Sequence, residues 1–381
     1  MEDKPALPES MAPHKGNRGA GTRILAILVS GAAIGLILYA SLPLVFGTTK
    51  IQTACPQLVT GGTSAIFVVT ENLWKGKYSK EKGVDLVCES AGTTVGVTRM
   101  LEKTYSIAFA HGPVSAELRE TARKSGCNIV HIPLLLCGVV PVYHIEEIKD
   151  KAPLNFSAEM LADIFLGKIK RWNDPALQAI NPGVVLPAKP ITVVHREDSS
   201  GTTQLFAEYL AMASPTWARE VGPAKAQVDW PVGIAVARNP GMAIKVHQID
   251  GSIGYVDRLY TAFQDIVLDY GAVQNKDKTA FIRAEPANLT AAAGAILAQI
   301  PEDLTFSLID KPGKDSYPIA GVVYAMCLDQ QPEKSRKQVV DFLRWATHEG
   351  QADVVKTGFA PLPAELVERV DRRLDAITSP P

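Results

Sequence analysis

Downstream of residue 55 the chain alternates short apolar runs with stretches of helical spacing, the pattern of α/β layering. Three transitions share one form. "PQLVTGGTSAIFVV" (56–69) reads as a short strand, a glycine turn and an apolar helix start. In "GVDLVCESAGTTVGVTRML" (83–101) a strand at Val84–Val87 leads into a turn at Ala91–Thr94, after which Val97, Met100 and Leu101 share a helix face. In "PITVVHREDSSGTTQLFAEYL" (190–210) the strand is Ile191–Val194, and Leu205, Phe206, Tyr209 and Leu210 supply an i, i+4 stripe. Elsewhere the spacing predicts ordinary helices: "SAEMLADIFLGK" with Ser157 as cap and a stop at Gly167, and "SRKQVVDFLRWATHEG" with Val339, Val340, Phe342, Leu343 and Ala346 on its core face and a stop at Gly350.

The third turn carries more polar chemistry than a helix start requires. One residue caps a helix, yet Ser199, Ser200, Thr202 and Thr203 all surround Gly201. Helix N-termini expose free N–H groups and the positive end of the dipole. Glycine lets a ligand approach the backbone, and hydroxyls add neutral donors. Three such turns converging make an anion site with little charge of its own. Arg196 can donate two parallel bonds to an oxyanion while Asp198 holds its other edge. No GxxxxGK[ST] or GxGxxG is present, so these turns do not indicate a nucleotide site.

Composition narrows the class. A chain of 381 residues, 46% hydrophobic and 21% charged, has a real core and room for two domains or lobes. The net charge of −1 provides no basic field for nucleic acid. Cysteines at 55, 88, 127, 137 and 327 include no CxxC and no His/Cys metal spacing, so no metal or other cofactor is expected. Cys137 and Cys327 read as buried strand residues, while Cys55, Cys88 and Cys127 could supply one disulfide. Ile24–Phe46 is free of charge and long enough to cross a membrane as a helix. Lys15, Arg18 and Arg23 precede it, which keeps residues 1–23 cytoplasmic and exports the rest. A cleaved signal peptide is the competing reading, and its apolar region would normally be shorter. A lipoprotein site at Cys55 fits poorly because "QTAC" lies well past the apolar run. Residues 1–22 and the tail after Ile377 are expected to be disordered.

From about Leu58 to Val370 the chain resembles the phosphate-binding proteins of bacterial phosphate ABC transporters. The resemblance is carried by "LADIFLGKIKRWNDPALQAINPGVVLP" followed by "ITVVHREDSSGTTQLFAEYL", by "GSIGYVD", and by "SYPIAGVVYAMCL" with "VVDFLRWATHEGQADVVKTGFAPLPAELVERV". It implies an α/β, two-lobed periplasmic-binding-protein fold of type II, with the N-terminal helix as anchor or signal. Lobe one would be residues 55–136 and 253–375, and lobe two 137–252. The implied activity is binding without catalysis: an inorganic oxyanion, phosphate first, is held between the lobes, and the closed form docks on the transporter's membrane subunits. Arg196 would donate to the anion, Asp198 would hold Arg196, and Ser200, Gly201 and Thr202 would supply donors. Ser64, Ala65 and Ile66 would contribute from the first turn and Thr93 from the second.

The resemblance has two departures. The family commonly has threonine at the position of Ala65, for which Ser64 could substitute. The family's aspartate after the third short strand, which accepts the proton carried by phosphate, is matched by His111 in "SIAFAHGPVS". A neutral imidazole imitates that acceptor only in part, and a protonated one adds a donor. Weak discrimination between phosphate and sulfate, shifting toward sulfate as pH falls, is therefore expected. Two other classes stay open on the residues alone: a sensory or scaffold protein that has lost transport, and a phosphatase using Ser200, which would need a base or a metal pair within reach.

Overall fold

The computed structural model describes residues 56–149 and 151–379. Residues 1–55 lie outside them, and with them the proposed anchor at 24–46, the tail at 1–23 and Cys55. Among the described residues no helix is long and apolar enough to cross a membrane.

The three strand–turn–helix units form as their patterns predict. Strand β1 (Gln57–Gly62) runs into helix α1 (Ser64–Val69), β2 (Asp85–Glu89) into α2 (Thr93–Leu101), and β3 (Ile107–His111) completes a parallel set with β1 at its centre. Helix α2 packs close to β1 because Gly96 has no side chain: a Cβ there would stand 2.8 Å from Gly62 Cα and 2.9 Å from the Gly61 carbonyl oxygen.

Strand β4 (Ile129–His144) is a mostly apolar run of 16 residues, broken by His131 and ended by His144, and buried except at its last position, as a strand covered on both faces must be. Three further strands follow it: β5 (Thr192–Arg196), β6 (Ile234–Val236) and β7 (Ser252–Asp257). The short β8 (Asp269–Tyr270) and the long β9 (Ala320–Leu328) complete the sheet. Its order is β2-β1-β3-β9-β4-β7-β5-β6, with β8 also on β4. Strand β4 changes partner midway. Ile129–Gly138 pairs antiparallel with β9, and Val139–His144 pairs antiparallel with β7. One strand therefore belongs to both halves of the sheet. Strand β8 joins the second half at Val142 and Tyr143.

Helix α3 (Ala158–Phe165) is capped by Ser157, whose Oγ accepts the Met160 amide, and Gly167 follows it with a left-handed φ of 71°. Helix α4 (Gly201–Ala213) buries Leu205, Phe206, Tyr209 and Leu210. Helix α5 (Arg238–Gln248) lies against β7 and β5, and helix α6 (Glu333–Thr347) buries Val339, Phe342, Leu343 and Ala346. Cys137 and Cys327 are buried in β4 and β9, and Cys88 and Cys127 are free thiols. Of the tail after Ile377, residues 378 and 379 are described, and they are held against the disorder their composition predicts. Thr378 is tied to the chain at both backbone groups, donating to the Asp329 carbonyl (2.9 Å) and accepting from the Gln331 amide (3.1 Å).

Candidate functional site

The three turns meet. A cleft of about 230 Å³ is lined by Thr63 and Ser64 from the first, Ser90–Val95 from the second, and Arg196 with Asp198–Thr202 from the third. Arg238 and Asn239, at the start of α5, complete its wall.

Arg196 ends β5 and is 6% exposed. Its Nε donates to Asp198 Oδ1 at 2.7 Å and its Nη2 to Asp198 Oδ2 at 2.6 Å. That fork leaves Nη1 and one hydrogen of Nη2 for a ligand. Burial works to raise the Asp198 carboxyl. Hydrogen bonds and charge from Arg196, with the Arg238 amide at 3.0 Å, outweigh it and hold the group below the ordinary aspartate value of 3.8. The pair rests on an aromatic bed. Tyr255 accepts the Arg196 amide (3.3 Å), stacks on Phe206 (4.5 Å between centroids) and meets Trp230 (5.5 Å).

The excess hydroxyls of the third turn divide between structure and cleft. Ser200 caps α4, accepting the Thr203 amide at 3.3 Å, and its hydrogen remains free. Thr203 turns back to the Tyr255 hydroxyl (2.8 Å). Ser199 meets Thr94 of the second turn at 3.2 Å, a contact between the two halves of the sheet. Thr202 accepts from Asn239 Nδ2 (3.3 Å), and the same amide nitrogen reaches Ser64 Oγ at 3.4 Å. Thr93 lines the cleft, and its Oγ1 is buried with no hydrogen-bond partner among the described residues. An orphaned hydroxyl in such a place costs about 1–3 kcal/mol unless a ligand or water satisfies it.

Seven of the ten residues expected from sequence line the cleft: Ser64, Thr93, Arg196, Asp198, Ser200, Gly201 and Thr202. Three do not. The Ala65 and Ile66 side chains are wholly buried in the core, and what these residues can offer is the first-turn amide. His111 lies behind the cleft, packed on Gly201, where a Cβ would stand 2.6 Å from the His111 Cβ. Both ring nitrogens are engaged: Nδ1 is 3.1 Å from Thr63 Oγ1 and Nε2 is 2.9 Å from Asp257 Oδ2. The expectation of an imidazole facing the anion is thereby corrected. The ring has no free nitrogen to present.

Sequence reasoning missed Thr63, Arg238, Asn239 and Asp257. Asn239 stands in "ARNPGMAIKV", where a turn signal precedes the apolar spacing of Met242, Ala243 and Val246. That is a helix start, though one without the hydroxyls that marked the other three. The trio His111, Cys137 and Asp257 was also unforeseen; one possible ligand atom from each lies within 4.8 Å of the others. Burial, and then the charge of Asp257, hold the Cys137 thiol well above its ordinary value. It is a neutral neighbour of a hydrogen-bonded His–Asp pair rather than a thiolate ligand.

Comparison with known proteins agrees with this architecture. The model of the PBP superfamily domain matches residues 47–349. The phosphate-binding protein PstS of Pasteurella multocida is 32% identical over 331 residues, covering 86% of this chain and 93% of that protein. PstS of Haemophilus influenzae is 34% identical over 301 residues, covering 78% and 86%. Among solved structures, a high affinity periplasmic phosphate-binding protein bound with phosphate superposes with a TM-score of 0.66 at 18% identity, covering 83% of this chain and 93% of that one. The phosphate-binding protein of Stenotrophomonas maltophilia superposes with a TM-score of 0.61 at 19% identity, with the same coverage. The likenesses to solved structures show the fold, and the two PstS relatives, with the domain match, decide kinship: this chain belongs to the PBP superfamily, in the family of the phosphate-binding proteins PstS.

Proposed function

We propose that this protein is a solute-binding protein that captures inorganic phosphate in the cleft and delivers it to the membrane subunits of an ABC transporter. It makes and breaks no bond. The observation that carries the reading is the buried Arg196 fork held by Asp198 in a wall of neutral donors. A dehydrated oxyanion needs such short, charge-assisted bonds to offset the loss of water. The relatives named for phosphate binding support the choice of anion.

The two halves of the sheet would be the two lobes. The partner change of β4 after Gly138 supports a first crossing close to 136–137. The pairing of β7 and β8 with the second half of β4 favours a return later than residue 253, before β9 begins at Ala320. Ligand contacts would come from Ser64, Thr93, Arg196, Ser200, Gly201 and Thr202, with the Ala65 and Ile66 amides, while Asp198 orients Arg196 and His111 acts from behind. Export to the periplasmic or extracellular side, with retention on the inner membrane through Ile24–Phe46, is supported by the charge-free length of that segment and the basic residues before it.

A phosphatase reading finds no support in the base it would need. His195 stacks on Trp230 at 5.4 Å, and its Nδ1 lies 3.2 Å from the Arg196 carbonyl, so its ring is engaged away from Ser200 in both contacts. Calorimetric titration of the purified protein with phosphate, sulfate and arsenate tests the proposal. Saturable phosphate binding at one site is expected, and absence of heat or thermal stabilisation at millimolar phosphate rejects it.

A further inference from the structure

The hydroxyls around the cleft are not equivalent. Ser64 and Thr202 each accept from Asn239 Nδ2, and Ser200 accepts the Thr203 amide. The Asn239 amide is held in that orientation because its Oδ1 accepts the Asp257 amide at 3.4 Å. With a lone pair of each already used, these three side chains have hydrogens free to donate to an anion.

Thr63 is arranged the opposite way. It occupies the N-cap position of α1, yet its hydroxyl makes no capping bond. It turns instead to His111 Nδ1 at 3.1 Å, and His111 Nε2 lies 2.9 Å from Asp257 Oδ2. The His111 and Asp257 side chains are 0% and 1% exposed, so water does not scramble the arrangement. Asp257 Oδ1 is also committed as an acceptor, to the Leu259 amide at 3.3 Å. An ionised carboxylate only accepts. The hydrogen between Asp257 and the ring therefore belongs to Nε2. In a neutral ring Nδ1 then carries the lone pair, and it takes the one hydrogen Thr63 has. The Thr63 oxygen is left with lone pairs alone for any further partner, and the residue forms part of the cleft wall.

We propose that Thr63, oriented by His111 and Asp257, is the acceptor that reads the proton on phosphate and turns away fully ionised tetrahedral anions such as sulfate. The inference rests on the phosphate reading above and assigns its selectivity. Phosphate at neutral pH carries a P–OH that can donate to this oxygen. Sulfate has none, and its oxygen would face the Thr63 lone pairs across a desolvated contact. Thr63 touches the ligand, whereas His111 and Asp257 are positioning residues that fix the direction of one hydrogen. The weak discrimination expected from the residue at position 111 alone is replaced by strong discrimination delivered one residue further on.

The experiment is calorimetric affinity of the full chain for phosphate and for sulfate at pH 8, with thermal melts to confirm folding. The wild type is expected to prefer phosphate by about 100-fold or more, as sites built around a specific hydrogen bond do. Thr63→Val keeps the shape, removes the acceptor and should lower that ratio by about tenfold or more, whereas Thr63→Ser should restore it. Asp257→Asn offers an N–H to Nε2, reverses the ring tautomer and frees the Thr63 hydrogen. Its ratio should fall through a gain in sulfate affinity. A wild type that binds sulfate as tightly as phosphate, or a Thr63→Val ratio within twofold of wild type, overturns the assignment while leaving the cleft an oxyanion site. Failure of the wild type to bind phosphate overturns the functional reading itself, and this assignment with it. If Asp257→Asn does not fold, the two Thr63 variants decide the matter.

Discussion

The two walls of the cleft are assembled in different ways. On one side a cation, its carboxylate partner and three donors come from residues 196–202, at the junction of β5 and α4. On the other, Thr63 comes from β1's turn and is backed by His111 and Asp257, at the end of β3 and the end of β7. The first wall is local: its geometry is fixed by one strand–turn–helix unit over an aromatic bed. The second spans both halves of the sheet, so it exists only where those halves meet. On the proposed function, a local clamp would suit attraction of the anion, and a trio that forms across the halves would suit discrimination once the anion is bound.

That division predicts a hierarchy of effects. Arg196→Ala should be the most damaging change, because it removes the one buried cation of the cleft wall among the described residues and leaves Asp198 unpaired. Loss of such a buried charged contact costs about 2–5 kcal/mol. Phosphate affinity by calorimetry should fall accordingly, and a change of only a few fold would place the anion elsewhere.

Gly201→Ala tests the seam between the walls. The added methyl would stand 2.6 Å from His111 Cβ and 3.1 Å from Nδ1, so either the α4 N-terminus or the imidazole must shift. Overpacking of this kind costs about 1–3 kcal/mol, and the closed, liganded form should bear it. Phosphate affinity is expected to fall by about tenfold. The double variant Gly201→Ala with His111→Gly, which removes that Cβ together with the ring, should recover part of the loss if the clash is with that side chain. No recovery would show that backbone, not the histidine, sets the limit.

What could be read from the chain follows the same line. The clamp was legible because its parts are contiguous and each has a local reason to be there: a strand end, a cap, a glycine, an apolar stripe. The three strand–turn–helix units were legible for that reason too, although the second helix begins at Thr93, inside the turn read as Ala91–Thr94. The role of His111 was misread because position in a motif does not say what lies across the sheet, and Asp257, 146 residues away, captures its second nitrogen. Thr63 was passed over, and nothing local reveals that its hydroxyl leaves the helix for a ring on another strand. The partner change in β4 was equally hidden, since one long, mostly apolar run serves both halves of the sheet.

Arg238 sharpens the contrast between buried and peripheral charge. It borders the cleft but is exposed, and its backbone, at a left-handed φ of 61°, supplies the amide that Asp198 accepts. Exposed charges contribute about 0–1 kcal/mol and are screened by salt. Arg238→Ala should therefore weaken phosphate binding by no more than about fivefold, mainly through the association rate and at low ionic strength. A loss comparable with that of Arg196→Ala at physiological salt would mean that Arg238 folds into the closed cleft as a second clamp.

The smallest expected effect on binding belongs to the other deeply buried histidine of the β3–β4 region. His131 accepts the Val114 amide through Nε2 at 3.2 Å and lies edge-on to Tyr324, far from any cleft residue in its contacts. Burial, and then the positive charge of Arg119, lower its pKa from 6.5 to about 4. The folded value is below the unfolded one, so as pH falls the unfolded chain takes up the proton first. The stability this neutral ring preserves is complete above about pH 6.5 and is lost progressively as pH drops toward 4. The loss is on the order of 3 kcal/mol at most. His131→Gln, which retains an acceptor for the Val114 amide but does not titrate, should flatten the decline in melting temperature between pH 7 and 4.5. Its phosphate affinity and phosphate-to-sulfate ratio at pH 8 should match wild type within twofold. An unchanged acid slope would assign the decline to other groups. A shifted anion ratio would show that this half of the sheet reaches the cleft by a route other than the bond between His111 and Thr63.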